Sequence, residues 1–353
     1  MAIIPSNNSD DTPTGAGAGS SQSSGEELSS LVVSGMGRDL GTTAQWVKDA
    51  LALQDEDAKE AGALGYSSRI FAQLALPYKD PATNGGLWIR QNGPMRLQIN
   101  PLMDIDAEGR PVPLFPYGKY PRLILPWLTT QVVRSKNSLD RDGSLTIEIA
   151  DSLREFFSDL DVPYGGKSGK IVREQARRLF SADIIFTEDG GTTSSGDRRQ
   201  RMLKIPVADA FELWWDNTDE GDQGALWGNS VRLSPAFVSS ILDAPIPTDM
   251  RALKLLSDKG GPLAMDIYVW MSYRLFTARR ATLIPWEALA AQFGSRLDRV
   301  RRFKELFVSK LDLVRLVYPS ARFEVADKGL MIYPSPSPIG NVHRTNPRAL
   351  GEG

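Results

Sequence analysis

The side chains in this sequence whose spacing suits chemistry are cations rather than nucleophiles or metal ligands. Arg296, Arg299, Arg301 and Arg302 fall in one short stretch, and Lys170, Arg173 and Arg177 recur three and four residues apart in another. A guanidinium is a planar fork of donors that fits phosphate oxygens, and cations one helical turn apart fit phosphates along a duplex groove. Each cluster has a second basic segment close behind it: Arg198, Arg199 and Arg201 after the first, Arg322 and Lys328 after the second. These residues form the candidate DNA-binding set. A solvated helix face is the competing reading, because Asp298 with Arg302, Arg301 with Glu305 and Glu174 with Arg178 have the spacing of ordinary intrahelical ion pairs.

The second cluster lies within a legible series of elements. Thr282-Leu283-Ile284 is a short extended run that meets Pro285, which has no N–H to lose at a first helical position. Trp286 to Phe293 is compact and amphipathic, and Gly294 can take the left-handed conformation that ends a helix. Ser295 can cap a longer helix to Val317, along which Leu297, Val300, Phe303, Phe307, Leu311 and Val314 make one apolar stripe. Arg299, Arg301 and Arg302 fall off that stripe near the helix start. Arg322–Ala326 and Leu330–Tyr333 then read as strands joined at Asp327-Lys328-Gly329. Strand, helix, tight turn, helix, hairpin is the layout of a winged helix-turn-helix, whose second helix enters the major groove.

The first cluster lies in a similar series. Arg122–Arg134 is a strongly apolar helix containing Pro126, and Leu145–Ile149 alternates as a strand. Ser152 and Glu155 have capping-box spacing for a helix through Leu160. Gly165-Gly166 breaks the chain before a helix from Lys170 to Phe180, with Ile171, Val172, Gln175 and Leu179 opposite the cationic stripe. Ala182–Thr187 and Arg199–Ile205 pair around a Gly/Thr/Ser loop, the candidate wing. Leu263–Arg279 holds the place in the second series that Arg122–Arg134 holds in the first. The repeat is one of pattern, not of residues.

Composition narrows the function classes. There is no cysteine and one histidine, His343, so one chain cannot assemble thiol chemistry, a His-paired nucleophile or a two-histidine metal site. Gly165-Gly166-Lys167-Ser168 lacks the upstream glycine and the preceding strand of a phosphate-binding loop. Asp104–Gly109 lacks the spacing of a calcium loop and reads as a solvated turn. The expectation is a chain with no catalytic residues, metal or cofactor, which is not an enzyme. No apolar run is long enough to span a bilayer, and the polar start excludes a signal peptide, so the expected location is the cytoplasm. Net charge is −2, but residues 1–60 hold ten carboxylates against three cations, while residues 251–328 hold fifteen cations against eight carboxylates. An acidic front offsets a basic back.

The expected fold is α+β, with two winged helix-turn-helix domains in tandem and a disordered amino-terminal arm. Residues 1–40 are polar and acidic and are read as disordered. Residues 41–65 form a helical arm, which either meets a partner or packs on its own domain. Residues 66–245 are the first winged-helix domain with extra strands, including a hairpin at Gln91-Asn92-Gly93-Pro94. Residues 246–334 are the second domain, and residues 335–353 a disordered tail.

Several runs together resemble the plasmid RepA-type replication initiator family. They are Phe71–Pro81, Tyr117–Thr130, Val133–Lys136, Asp151-Ser152-Leu153 with Glu155-Phe156, Gly165-Gly166, Arg177–Phe180, Trp270–Arg274 and Ile284-Pro285-Trp286. Tyr117–Thr130 is the most specific of these, and the acidic arm lies outside the likeness. The resemblance implies a protein that binds repeated sites in double-stranded origin DNA (iterons), helps to open the duplex and recruits a host replication initiator or helicase. It also implies two winged-helix units per chain, repression of the protein's own promoter, and homodimer and monomer forms that differ in activity. It implies no particular base-contacting residues, so the candidate set rests on helix faces alone. A transcriptional regulator and a DNA-nicking replication enzyme are the alternatives.

Overall fold

The computed structural model describes residues 40–81, 86–148, 157–158, 166–192, 198–212, 230–294 and 300–340. The disordered arm expected at the amino end (but for Leu40), the capping box at Ser152 and Glu155, and residues 341–353 of the expected tail fall outside them. Residues 335–340, expected to begin a disordered tail, are packed instead: the Ser335 amide donates to the Leu275 carbonyl at 3.1 Å, and Ser335 and Ile339 are buried. The fold is mixed α/β, with helices packed among small antiparallel sheets.

The chain enters through α1 (Leu40–Ala52), β1 (Leu64–Ser68) and the short α2 (Arg69–Gln73). Strands β2 (Trp88–Asn92) and β3 (Met95–Asn100) form the hairpin that the Asn-Gly step predicts, with Asn92 opposite Met95 and Gly93 at φ 56°. A second hairpin, β4 (Leu102–Ile105) and β5 (Pro111–Leu114), brackets the acidic turn. There Asp106 accepts from the Arg110 and Glu108 backbone amides at 2.8 and 3.0 Å, as a solvated turn would.

Helix α3 (Lys119–Arg134) is buried along most of its length and carries Pro126 inside it. After β6 (Leu145–Glu148) come α4 (Gly166–Ser181), β7 (Asp183–Thr192), β8 (Arg198–Lys204), β9 (Ala208–Glu212), β10 (Ser230–Leu233) and α5 (Pro235–Leu242). Strand β7 joins the first hairpin, giving the order β2-β3-β7-β8, whereas β6 pairs with β10 in the order β6-β10-β9. The strand before α4 and the hairpin after it therefore belong to different sheets.

Strand β11 (Pro245–Asp249) holds Pro245 and Pro247. It pairs with β1, far back along the chain, from Leu64 opposite Asp249 to Ser68 opposite Pro245. Helices α6 (Met250–Lys259) and α7 (Gly261–Thr277) follow. Then β12 (Thr282–Pro285), α8 (Trp286–Phe293), α9 (Val300–Val317), β13 (Phe323–Ala326) and β14 (Gly329–Ile332) close a sheet of their own, ordered β12-β14-β13. Pro285 is the N-cap of α8 and Trp286 its first residue.

One apolar core runs through both halves, from Trp46 to Ile332. Helix α1 packs on α6 and α9, so the arm lies on the carboxy-terminal half of its own chain. The Trp46 indole donates to the Leu255 carbonyl at 2.8 Å and Gln54 donates to the Leu316 carbonyl at 3.1 Å. That packing also buries Leu313, Leu316 and Val317, which lie beyond the stripe predicted for α9. Among the described residues, no helix is long and apolar enough to cross a membrane.

A candidate nucleic-acid interface

The turn between α8 and α9 is set by Gly294, which ends α8 in the left-handed region at φ 76°, ψ 36°. Phe293, Phe303 and Phe307 stack behind it, with Trp286 edge-on to Phe307 and Trp270 edge-on to Phe293. This aromatic wedge buries the inner stripe of α9, leaving its outer face to the cations.

Arg301 and Arg302 stand in the first turn of α9, both exposed. Arg301 has 93% of its side chain accessible and meets Glu305 at 3.3 Å. So open an i,i+4 pair is weak, and an incoming phosphate can replace it. Lys304, absent from the sequence-based set, lies 5.4 Å from the Trp286 ring centre. Arg296 and Arg299 lie outside the described residues.

The hairpin behind α9 is tied to the start of α8. Trp286 donates its backbone amide to the Lys328 carbonyl at 3.3 Å and its indole N–H to the Ala326 carbonyl at 3.1 Å. Gly329 is required there, because a Cβ would lie 2.1 Å from the Ile284 carbonyl oxygen. Lys328 is exposed at the hairpin tip, while Arg322 is exposed at the far end of β13. Only Lys328 therefore shares the tip.

The amino-terminal cations are placed differently. Along α4, Lys170 is exposed and Arg173 half-buried. Arg177 donates to the Asp104 carboxylate of β4 at 3.0 Å, with Glu174 at 3.8 Å. Hydrogen bonds from the Ile105 amide and from Arg177 hold the Asp104 carboxyl below its ordinary range. Burial opposes the charge of Arg178, but its bonds to Glu174 at 2.8 Å and Asp80 at 3.1 Å outweigh this and raise its pKa. The inner face of α4 is Val172, Gln175, Ala176, Leu179 and Phe180. Ile171, expected among them, is 39% exposed, because it lies outside the arc that the sheet and α3 cover. On β8, Arg201 faces Glu188 in register and Arg199 lies over Gly190, its side chain 3.4 Å from where a Cβ would stand. Arg198 opens the strand.

Two arginines that the sequence reading passed over join the halves. Arg122 of α3 grips Asp266 of α7 with two hydrogen bonds, at 2.8 and 2.9 Å. Its other donors reach the carbonyls of Leu76, Pro77 and Gly118. All five guanidinium hydrogens are thus engaged, and the Tyr78 ring lies beneath at 4.9 Å. Arg90 of β2 is 6% exposed, lies 4.6 Å from the Trp88 ring centre, and places Nη1 where a Cβ on Gly294 would be. A charged residue inside an apolar helix, as at Arg122, was the available signal. Arg279 and Arg280, exposed just before β12, are further cations beside the second cluster.

Comparison with known proteins agrees with the family resemblance. In fold, the chain is similar to a crystal structure of RctB domains 2–3, at 14% identity and TM-score 0.39, covering 73% of this chain and 84% of that one. It is also similar to a selenomethionine form of domains 2 and 3 of RctB, at 12% identity and TM-score 0.41, covering 75% and 97%. No curated protein matches in sequence. Residues 115–288 match the family model described as plasmid-encoded RepA protein. That span runs from Phe115, ahead of α3, through the start of α8, and over it the chain is similar to the family of plasmid-encoded RepA proteins.

Proposed function

We propose that this protein initiates plasmid replication by binding repeated sites in double-stranded origin DNA through two winged helix-turn-helix units, residues 66–245 and 246–334. The observation that carries the reading is at the carboxy-terminal unit. The first turn of α9 presents Arg301 and Arg302 to solvent, beside a hairpin tip anchored by Trp286. A helix start and a rigid hairpin on one side suit major-groove entry with flanking phosphate contact. The match to plasmid-encoded RepA proteins supports a role in replication rather than in regulation alone.

On this reading the chain performs no bond chemistry and acts in the cytoplasm. Binding energy at adjacent sites helps to open the duplex, and a host initiator or helicase is then recruited. Repression of its own promoter, by a homodimer, extends the same DNA recognition.

The test is footprinting on the DNA that flanks the coding gene, paired with an origin-only plasmid maintained by the protein supplied in trans. Regularly spaced protected repeats and a maintained plasmid are expected. Protection of a promoter without plasmid maintenance would make the protein a regulator. Metal-dependent nicking of supercoiled origin DNA by the purified protein would make it an enzyme.

A further inference from the structure

A groove of about 560 Å³ lies where α7, α8 and α9 meet the Tyr78-Lys79 turn of the amino-terminal half. Leu263, Phe303 and Leu306 line it, and Leu306 is 49% exposed. Lys79, Arg302 and Lys310 stand around it. No ion pair or hydrogen bond engages these three cations among the described residues. Burial holds the Lys310 amine below the ordinary lysine pKa. An apolar floor ringed by cations that have no partner among the described residues calls for an occupant that is both acidic and apolar.

We propose that residues 26–33 of this same chain dock in that groove and cover Arg302. The segment is Glu26-Glu27-Leu28-Ser29-Ser30-Leu31-Val32-Val33. It sets two carboxylates ahead of apolar residues at i, i+3 and i+4, matching the cations and the floor. The other apolar pair in the arm, Ile3-Ile4, has no carboxylate nearer than Asp10. The tether fits as well. Trp46 of α1 meets Leu255 of α6, while Glu56 meets Arg251, so α1 runs antiparallel to α6. The amino end of α1 therefore lies toward Gly260, which itself lines the groove. Residues 34–39 separate the segment from Leu40 and reach about 20 Å when extended. So short a tether holds the segment at an effective concentration on the order of millimolar, enough for a weak contact to persist. Because Arg302 belongs both to the groove and to the outer face of α9, a docked arm competes with phosphate there. That consequence rests on the proposed DNA reading; the docking itself does not.

The absence of cysteine makes the test direct. The full chain carrying Leu31→Cys with Leu306→Cys is oxidised mildly, and the product is read by intact mass and non-reducing gel. The comparison pair is Leu31→Cys with Val325→Cys, a residue of β13 that is 45% exposed and does not line the groove. An intramolecular bridge is expected to form on the order of tenfold faster with Cys at 306. Equal rates at the two positions, or bridges only between two copies, would overturn the proposal. In a second arm of the test, deletion of residues 2–33 should tighten duplex binding several-fold at low salt. Fast bridging at 306 with unchanged duplex affinity would uphold the docking and count against Arg302 as a DNA contact.

Discussion

In the carboxy-terminal unit the strand before the helix pair, β12, lies against β14 of the hairpin behind it, and one sheet closes around α8 and α9. In the amino-terminal unit the corresponding strand, β6, pairs with β10, while the hairpin β7–β8 extends the β2–β3 hairpin into a four-stranded sheet. Their cations differ in parallel. Arg301 and Arg302 face solvent, whereas Arg177 and Arg178 are held by carboxylates of Asp104, Glu174 and Asp80. The same order of elements thus yields one unit ready to present charge and another that uses charge to fasten its own hairpin. Specific recognition by both units would require the amino-terminal one to work through Lys170, Arg173 and the hairpin arginines.

The joint between the two halves is where the largest effect is expected. Arg122 and Asp266 are paired with side-chain exposures of 5% and 10%. Truncating one partner strands a buried charge, at a cost of about 3–5 kcal/mol. Arg122→Ala should therefore lower the urea midpoint sharply, in a single transition seen by both circular dichroism and tryptophan fluorescence. Two separated transitions in the unaltered protein would show that the halves fold independently. Replacing both partners with apolar residues of similar volume should recover most of the loss.

Gly294 tests how tightly the amino-terminal half holds the carboxy-terminal helix turn. Alanine there costs about 1–2 kcal/mol from the left-handed backbone alone. Its Cβ would also fall 1.1 Å from Arg90 Nη1. Gly294→Ala should therefore cost more than the backbone term, and Arg90→Ala added to it should cost less than the sum of the single changes. Additive costs in that cycle would mean that Arg90 does not brace the turn.

Much of this was legible locally. The Asn92-Gly93 hairpin, the left-handed stop at Gly294 and the stripe from Phe303 to Val314 are encoded within a few residues of where they act. What escaped was non-local. Nothing near Pro245-Ile246-Pro247 announces that it pairs with Leu64–Ser68, and prolines on one strand of a two-stranded ribbon leave few ladder donors to lose. Asp104 read as part of a solvated turn because its partner, Arg177, lies far along the chain. For the site, helix periodicity located the exposed Arg301 and Arg302, but it cannot reveal which of two basic helices finds carboxylates in space.

Smaller effects sharpen the contrast in hairpin anchoring. Trp286→Phe keeps the ring in the aromatic wedge but removes the bond to the Ala326 carbonyl. A loss of about 1 kcal/mol is expected, as for one hydrogen bond. Exchange of the amides around Lys328 should quicken before that of α9, as read by hydrogen–deuterium exchange. Uniform quickening across the unit would show the bond to be general packing rather than an anchor of the tip.

The contrast in charge is the finest to measure, and salt dependence resolves it better than affinity at one condition. Each phosphate contact contributes about 0.9 to the slope of log K against log salt. Arg302→Ala should flatten that slope by about one such step, with affinity reduced several-fold at 0.1 M salt or so. Arg177→Ala should leave it nearly unchanged, because Arg177 is spoken for by Asp104. The Asp104 carboxyl, held below its ordinary pKa by the Ile105 amide and Arg177, binds fewer protons when folded. Its grip on Arg177 is therefore fully present above the ordinary carboxylate pKa and is lost as pH falls through the depressed one. Near neutrality the pair is intact, so Asp104→Asn is the cleaner way to release Arg177. If that variant steepens the salt slope, the amino-terminal unit has a latent phosphate contact that its own hairpin withholds. If Arg177→Ala flattens the slope as much as Arg302→Ala does, the two units meet DNA alike and the asymmetry of charge fails.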